Sequence, residues 1–172
     1  MADLFAAAER LMQMDDRTWR RHCNPLSGWS RMLTALPLLC LAIWSRVWLG
    51  WFALGPVALA CLWIWWNPRA FAEPMRFDAW MSKGVLGERI FLENRPALPA
   101  HHIKAAQALS ALSVPGAVVI IWGLVTLWWE GALFGMILTA LPKIWFVDRM
   151  VWIFEDWRRT GRPVPGMQEH EL

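Results

Sequence analysis

Tyrosine is absent from the chain, and cysteine and histidine are scarce, at three and four copies among 172 residues. Cys23, Cys40 and Cys61 form no Cys-x-x-Cys pair, and two of them lie inside apolar runs, which excludes a disulfide scaffold. Charge is thin as well: 18% of residues are charged against 57% hydrophobic. An ordinary soluble domain is roughly 45–50% apolar, so this chain is too greasy for one, and it has too much apolar surface to stay disordered. Seventeen Lys plus Arg against fourteen Asp plus Glu leave a net charge of only +3. No basic block with interleaved aromatics stands apart from the apolar segments, so no nucleic-acid partner is expected. A Walker loop, a nucleophile elbow and a dinucleotide fingerprint are all missing. The first ten residues hold Asp3 and Glu9, with Arg10 as their one positive charge, which does not read as a cleavable signal peptide.

What the chain does have is tryptophan, fifteen copies, and two long apolar blocks. From Met32 to Asn67 the only charge is Arg46, and from Val114 to Val147 the only charges are Glu130 and Lys143. A bilayer core of about 30 Å needs roughly 20 helical residues, so each block is too long for one span and reads as a helical hairpin. The first turn falls around Arg46–Gly50 and the second at Glu130-Gly131. The expected fold is an all-α integral membrane protein, with four transmembrane helices in two hairpins plus amphipathic cytoplasmic helices. Its segments are an interfacial N-terminal part (1–29), the first hairpin (30–66), a cytoplasmic loop (67–113), the second hairpin (114–147) and a helical extension with a tail (148–172).

Basic residues orient this arrangement. Five (Arg10, Arg17, Arg20, Arg21, Arg31) precede the first hairpin and one (Arg46) lies in its turn. Six (Arg69, Arg76, Lys83, Arg89, Arg95, Lys104) lie between the hairpins, none in the second turn, and five from Lys143 onward. The positive-inside rule then puts both termini and the central loop in the cytoplasm. Tryptophans agree: Trp44, Trp48, Trp51, Trp128 and Trp129 mark the outer turns, and Trp29, Trp63, Trp65, Trp66 and Trp145 the inner ends, where an indole finds both apolar and polar surroundings. Trp122, near mid-span, is expected to pack between helices. Two amphipathic stripes, Leu4 to Met12 and Phe77 to Leu92, read as interfacial helices.

Candidate chemistry lies near the inner ends. His101 and His102 are adjacent, and neighbouring helical residues point roughly 100° apart, so they are not expected to chelate one metal as an i,i+4 pair would. A helix start is the plain reading; an acid–base or metal group formed with Glu88 or Glu93 is the sharper one. No histidine falls within an expected span, against a bis-histidine haem, and no cofactor or metal is expected. Asn24-Pro25 favours a turn, Ser27 or Ser30 is available to cap the next helix, and Arg31 then lies at headgroup level, suited to a phosphate or carboxylate. Asn67-Pro68 is expected to end the second span in the same way. Asp148, Arg149, Glu155 and Asp156 follow the last span by one to three turns. They form either an ion-pair cluster with Arg31 and Arg89 or a pocket facing headgroups, where Gly84 and Gly87 beside Glu88 and Arg89 allow close approach. Asn24, Arg31, Glu88, Arg89, His101, His102, Asp148, Arg149, Glu155 and Asp156 are therefore the candidate polar cluster.

The run His22-x-Asn-Pro-Leu-Ser-Gly-Trp-Ser-Arg31, with the Ala42–Gly50 segment, Asn67-Pro68, Lys83–Arg89 and Trp145–Trp152, resembles a family of small multi-pass prokaryotic membrane proteins of unknown function. The resemblance spans about residues 17–157. It implies a membrane protein and carries no activity, substrate or cofactor. The leading functional expectation is a non-catalytic inner-membrane protein, an accessory or assembly subunit of a larger membrane complex or a homo-oligomer, in contact with membrane lipids. The alternatives are a lipid-active enzyme with a headgroup site at the cytoplasmic face and a small dimeric transporter, whose spans offer little polar lining beyond Ser45, Thr126 and Thr139.

Overall fold

The computed structural model describes residue 12 and residues 14–168, and regular structure within them is entirely helical. In order come α1 (Asp16–His22), α2 (Pro25–Trp44), α3 (Leu54–Ala70), α4 (Trp80–Glu93), α5 (Ala100–Leu112), α6 (Val114–Thr126) and α7 (Trp129–Arg159). Three stretches are long and apolar enough to cross a membrane: Pro25–Ala70, Ala100–Thr126 and Trp129–Arg159. The expected helix over Leu4 to Met12 lies outside the described residues apart from Met12.

The 46-residue first stretch doubles back, because a helical turn (Arg46–Leu49) and a 3-10 turn (Gly50–Ala53) bring α3 alongside α2. Gly50 takes a φ of 53°, a left-handed conformation that costs glycine little. The turn thus extends to Ala53, and α3 starts at Leu54 instead of Trp51. Arg46 reaches across to donate to the carbonyls of Leu124 and Val125 at the C-terminal end of α6, where a cation also suits the helix dipole.

The second reversal is not at Glu130-Gly131 as expected. It lies at Leu127, which has a φ of 58°, and at Trp128, whose N–H closes the end of α6 onto Gly123 O at 2.9 Å. Glu130 sits instead in the first turn of α7, where a carboxylate faces the positive helix end. Gly131 is spent on packing, since a Cβ there would meet the Trp128 ring at 2.1 Å. The same economy joins α6 to α7 along their length: a Cβ on Gly123 would fall 2.5 Å from Ala132 N, and one on Gly135 2.6 Å from Ile120 N. Small residues let apolar helices approach this closely without a hydrophobic driving force.

Caps also differ from expectation. Asn24 caps α2 by accepting from Leu26 N–H, with Pro25 in the first turn, so Ser27 and Ser30 are left to point inward. Asn67-Pro68 does not end α3, which continues to Ala70 with Asn67 fully buried. Trp122 is 63% exposed and does not pack between helices. It joins Trp48, Trp51, Phe52 and Leu133 on an apolar outer surface.

Most of the buried core lies at one end of the bundle, beyond those apolar faces. There α4 is enclosed on almost every side, burying Val85, Leu86, Ile90 and Phe91 against Phe146, Met150, Ile153 and Phe154 of α7. The 31-residue α7, about 46 Å long at 1.5 Å per residue, supplies both the apolar half and this core. After Thr160 the chain folds back, with Trp157 Nε1 donating to Pro163 O at 3.0 Å and Val164 buried. The approach of α4 to α7 is so close that a Cβ on Gly87 would fall 1.9 Å from Met150 O, whereas one on Gly55 would meet nothing within 4 Å. Gly87→Ala should destabilise the protein by about 1–3 kcal/mol, the usual cost of overpacking. Gly55→Ala should be neutral or stabilising, and thermal unfolding of the two detergent-purified variants checks the contrast.

Candidate functional site

Four helices converge where the apolar half meets the buried end, and they leave a cavity of about 420 Å³ between them. His22 closes α1, Arg31 lies on the second turn of α2, Glu88 is on α4 and Lys143 on α7. Met32, Leu36, Ala140 and Val147 continue the lining along α2 and α7. One end of the cavity is thus charged and the other apolar.

His22 is held from behind by a buried polar chain. Its Nδ1 lies 2.9 Å from Ser27 Oγ, Ser27 Oγ lies 3.3 Å from Asn67 Oδ1, and Asn67 Nδ2 donates to Ser30 Oγ at 2.8 Å. The last bond orients the Asn67 amide, so Oδ1 is the acceptor for the Ser27 hydroxyl. With the Ser27 hydroxyl donating to Asn67 Oδ1, Ser27 Oγ accepts from His22 Nδ1–H, and Nε2 carries the lone pair toward the cavity that His22 lines. Burial, helped by the charge of Arg31, pushes the His22 pKa down from its ordinary 6.5 to about 4, so the ring is neutral at pH 7. Neighbouring Cys23 is no nucleophile, since burial pushes its thiol up to about 12.

Glu88 stands 3.7 Å from Lys143 Nζ and is 27% exposed, within the cavity. Burial alone would raise its pKa, but Lys143 and Arg31 outweigh that and hold the carboxyl below its ordinary value. Arg31 is half-buried, and among the described residues it has no hydrogen-bond or ion-pair partner. Two cations, one carboxylate and a neutral imidazole leave the cavity one positive charge in excess.

The ten candidate residues therefore separate. Only Arg31 and Glu88 meet in the cavity. His101, His102 and Asp156 form a second cluster, with His102 Nε2 2.9 Å from Asp156 Oδ2 and Arg149 close enough to act on His102 electrostatically. The rest have structural work. Asn24 donates to Ala72 O, Asp148 accepts from Trp80 Nε1, and Glu155 pairs with Lys83 at 2.5 Å. Arg89, buried, pairs with Asp16 and Glu93. Gly87 admits the backbone of α7 at Met150, and Gly84, against the Val147 side chain, lines the cavity. Sequence reading missed His22, Ser27, Asn67 and Lys143 as site residues. Lys143, the last charge of its apolar block, had offered a signal.

A family model matches residues 6–166. The chain belongs to DUF6653, a family of unknown function. No curated protein and no solved structure matches it.

A histidine whose pKa is depressed on folding stabilises the fold above its unfolded pKa, and that stability is lost as pH falls through the window down to the folded value. Stability should drop by on the order of 3 kcal/mol between pH 6.5 and pH 4 on account of His22. His22→Gln, which keeps a partner for Ser27, should flatten this part of a pH–stability curve.

Proposed function

We propose that the protein crosses a prokaryotic inner membrane four times, with both termini in the cytoplasm, and binds an amphiphile carrying an anionic head at its cytoplasmic side. The helix pair α2/α3 and the pair α6/α7 are the two hairpins of this reading, and the excess of basic residues at the ends opposite the turns supports its orientation. The single observation that carries the ligand is Arg31: a half-buried guanidinium without a hydrogen-bond or ion-pair partner among the described residues, opening on a cavity with net positive charge. An unpaired charge removed from water is costly, and a phosphate oxygen pair matches the guanidinium fork. Lys143 adds a second cation, held 3.7 Å from Glu88. Met32 and Leu36 on α2 face Ala140 and Val147 on α7 in the adjoining part of the cavity, a path for an acyl chain between two helices that otherwise touch little.

Apolar outer faces are covered by lipid as readily as by a partner protein, so the accessory-subunit expectation has no comparable support. The transporter expectation has none either. Neutral His22 with an open Nε2 is a proton acceptor at the same site, which keeps the lipid-active enzyme expectation within this reading.

Binding of short-chain phosphatidic acid, phosphatidylcholine and inorganic phosphate to the full-length protein in neutral detergent tests the reading. Phosphatidic acid should bind saturably, more tightly than phosphatidylcholine and far more tightly than phosphate. Arg31→Gln should weaken it roughly tenfold or more, the value of about 1.5–3 kcal/mol for a charged hydrogen bond. Equal binding of the two lipids, or an unaffected Arg31→Gln variant, would overturn it.

A further inference from the structure

We infer that His101, His102 and Asp156 form a binding site for a single divalent transition-metal ion, separate from the amphiphile cavity. One donor atom from each residue lies within 4.8 Å of the other two. Neighbouring helical residues start out roughly 100° apart, yet the two imidazole rings end with centroids 4.2 Å apart and tilted by 38°. They stand at the first turn of α5, against the far end of α7 that carries Asp156.

The hydrogen bonding of His102 is incomplete in either neutral tautomer. Its side chain is 1% exposed, Nε2 lies 2.9 Å from Asp156 Oδ2, and Nδ1 is buried without a partner. If Nε2 carries the proton and donates to Asp156, the Nδ1 lone pair is left unanswered. If Nδ1 carries it, two acceptors, Nε2 and Oδ2, face each other at hydrogen-bond distance with nothing between them. Either arrangement wastes a buried polar atom, which costs about 1–3 kcal/mol. A cation shared by the Nε2 lone pair and a carboxylate oxygen removes the second conflict, while Nδ1 lacks a partner with or without it.

Two imidazoles and one carboxylate are the donor set of borderline ions such as zinc, and three protein ligands leave coordination positions for water. Ligands at about 2.0–2.2 Å from a tetrahedral ion lie roughly 3.3–3.6 Å from one another. The 2.9 Å between His102 Nε2 and Asp156 Oδ2 must open by a few tenths of an ångström, which the 40% exposed Asp156 allows, and any closure falls to the exposed His101, while the buried His102 stays in place. Arg159 holds the other carboxylate oxygen of Asp156 at 3.2 Å and so aims Oδ2 at the histidines, as outer partners of metal ligands do. The bound ion would clip the start of α5 to the extension of α7.

The test is titration of untagged, full-length protein in detergent with cobalt(II), followed by absorption, and with zinc(II), followed by calorimetry and thermal unfolding. One ion per chain should bind and raise the unfolding temperature. His101→Ala, which removes an exposed ligand and should leave the metal-free unfolding temperature unchanged, should weaken binding at least tenfold, and so should Asp156→Asn. Lack of stoichiometric binding by the unaltered protein, or wild-type affinity in both variants, would overturn the inference. Neither result depends on the amphiphile cavity, whose phosphatidic acid binding serves as the control for intact folding.

Discussion

Helix α4 meets the backbone of α7 at Gly87 and Met150, and the directions of the charged groups on α4 follow from this contact. A helix pressed so close cannot rotate, so Glu88 is directed to Lys143 while its neighbour Arg89 is directed the other way, to Asp16 and Glu93. Those two adjacent charges serve different purposes because roughly 100° of helix separates them. The contact also lies within the buried cluster of Phe91, Phe146, Met150 and Phe154, which packs α4 onto α7. Rigid support matters for a site built from charges, since side chains held in advance lose less freedom when a ligand arrives.

A second constraint comes from polar groups that no water reaches. Ser27, Asn67 and His22 are buried, and each satisfies another, so the first hairpin carries its own internal hydrogen-bond chain. That chain decides which nitrogen of His22 points to the cavity, and burial keeps the ring uncharged. Structural satisfaction behind the ring thus produces chemical availability in front of it. Arg31 shows the opposite condition: one turn from Ser27 on the same helix, it has no hydrogen-bond or ion-pair partner among the described residues, and its charge is the basis of the proposed anion binding.

The helical class and the apolar stretches were legible because residue type alone marks them: long runs without charge, bounded by basic residues and indoles. The reversal at Leu127 was not. Glycine is the residue expected at a left-handed position, yet Gly131 was needed where α7 passes the Trp128 ring, and a leucine takes the turn. Asn67-Pro68 misled for a related reason, since a buried amide with partners on a neighbouring helix holds α3 together past a residue that usually ends helices. At the site, Arg31 and Glu88 were recognisable as charges near apolar ends. His22 and Lys143 come to the same cavity from 66 residues before and 55 after Glu88, and no local spacing announces such a meeting. His101 and His102 were discounted on the divergence of neighbouring side chains; their tilted rings nevertheless lie 4.2 Å apart, and the third donor, Asp156, comes from 54 residues further along the chain.

The claim that joins these observations is that Arg31 faces an anionic head within the cavity. An experimental map of the protein in native membrane lipid tests it most directly. The account predicts density for a headgroup within hydrogen-bond reach of Arg31 and Lys143, with a chain running past Leu36 between α2 and α7. A cavity filled by protein side chains, with Arg31 paired to a carboxylate of the chain itself, would contradict it.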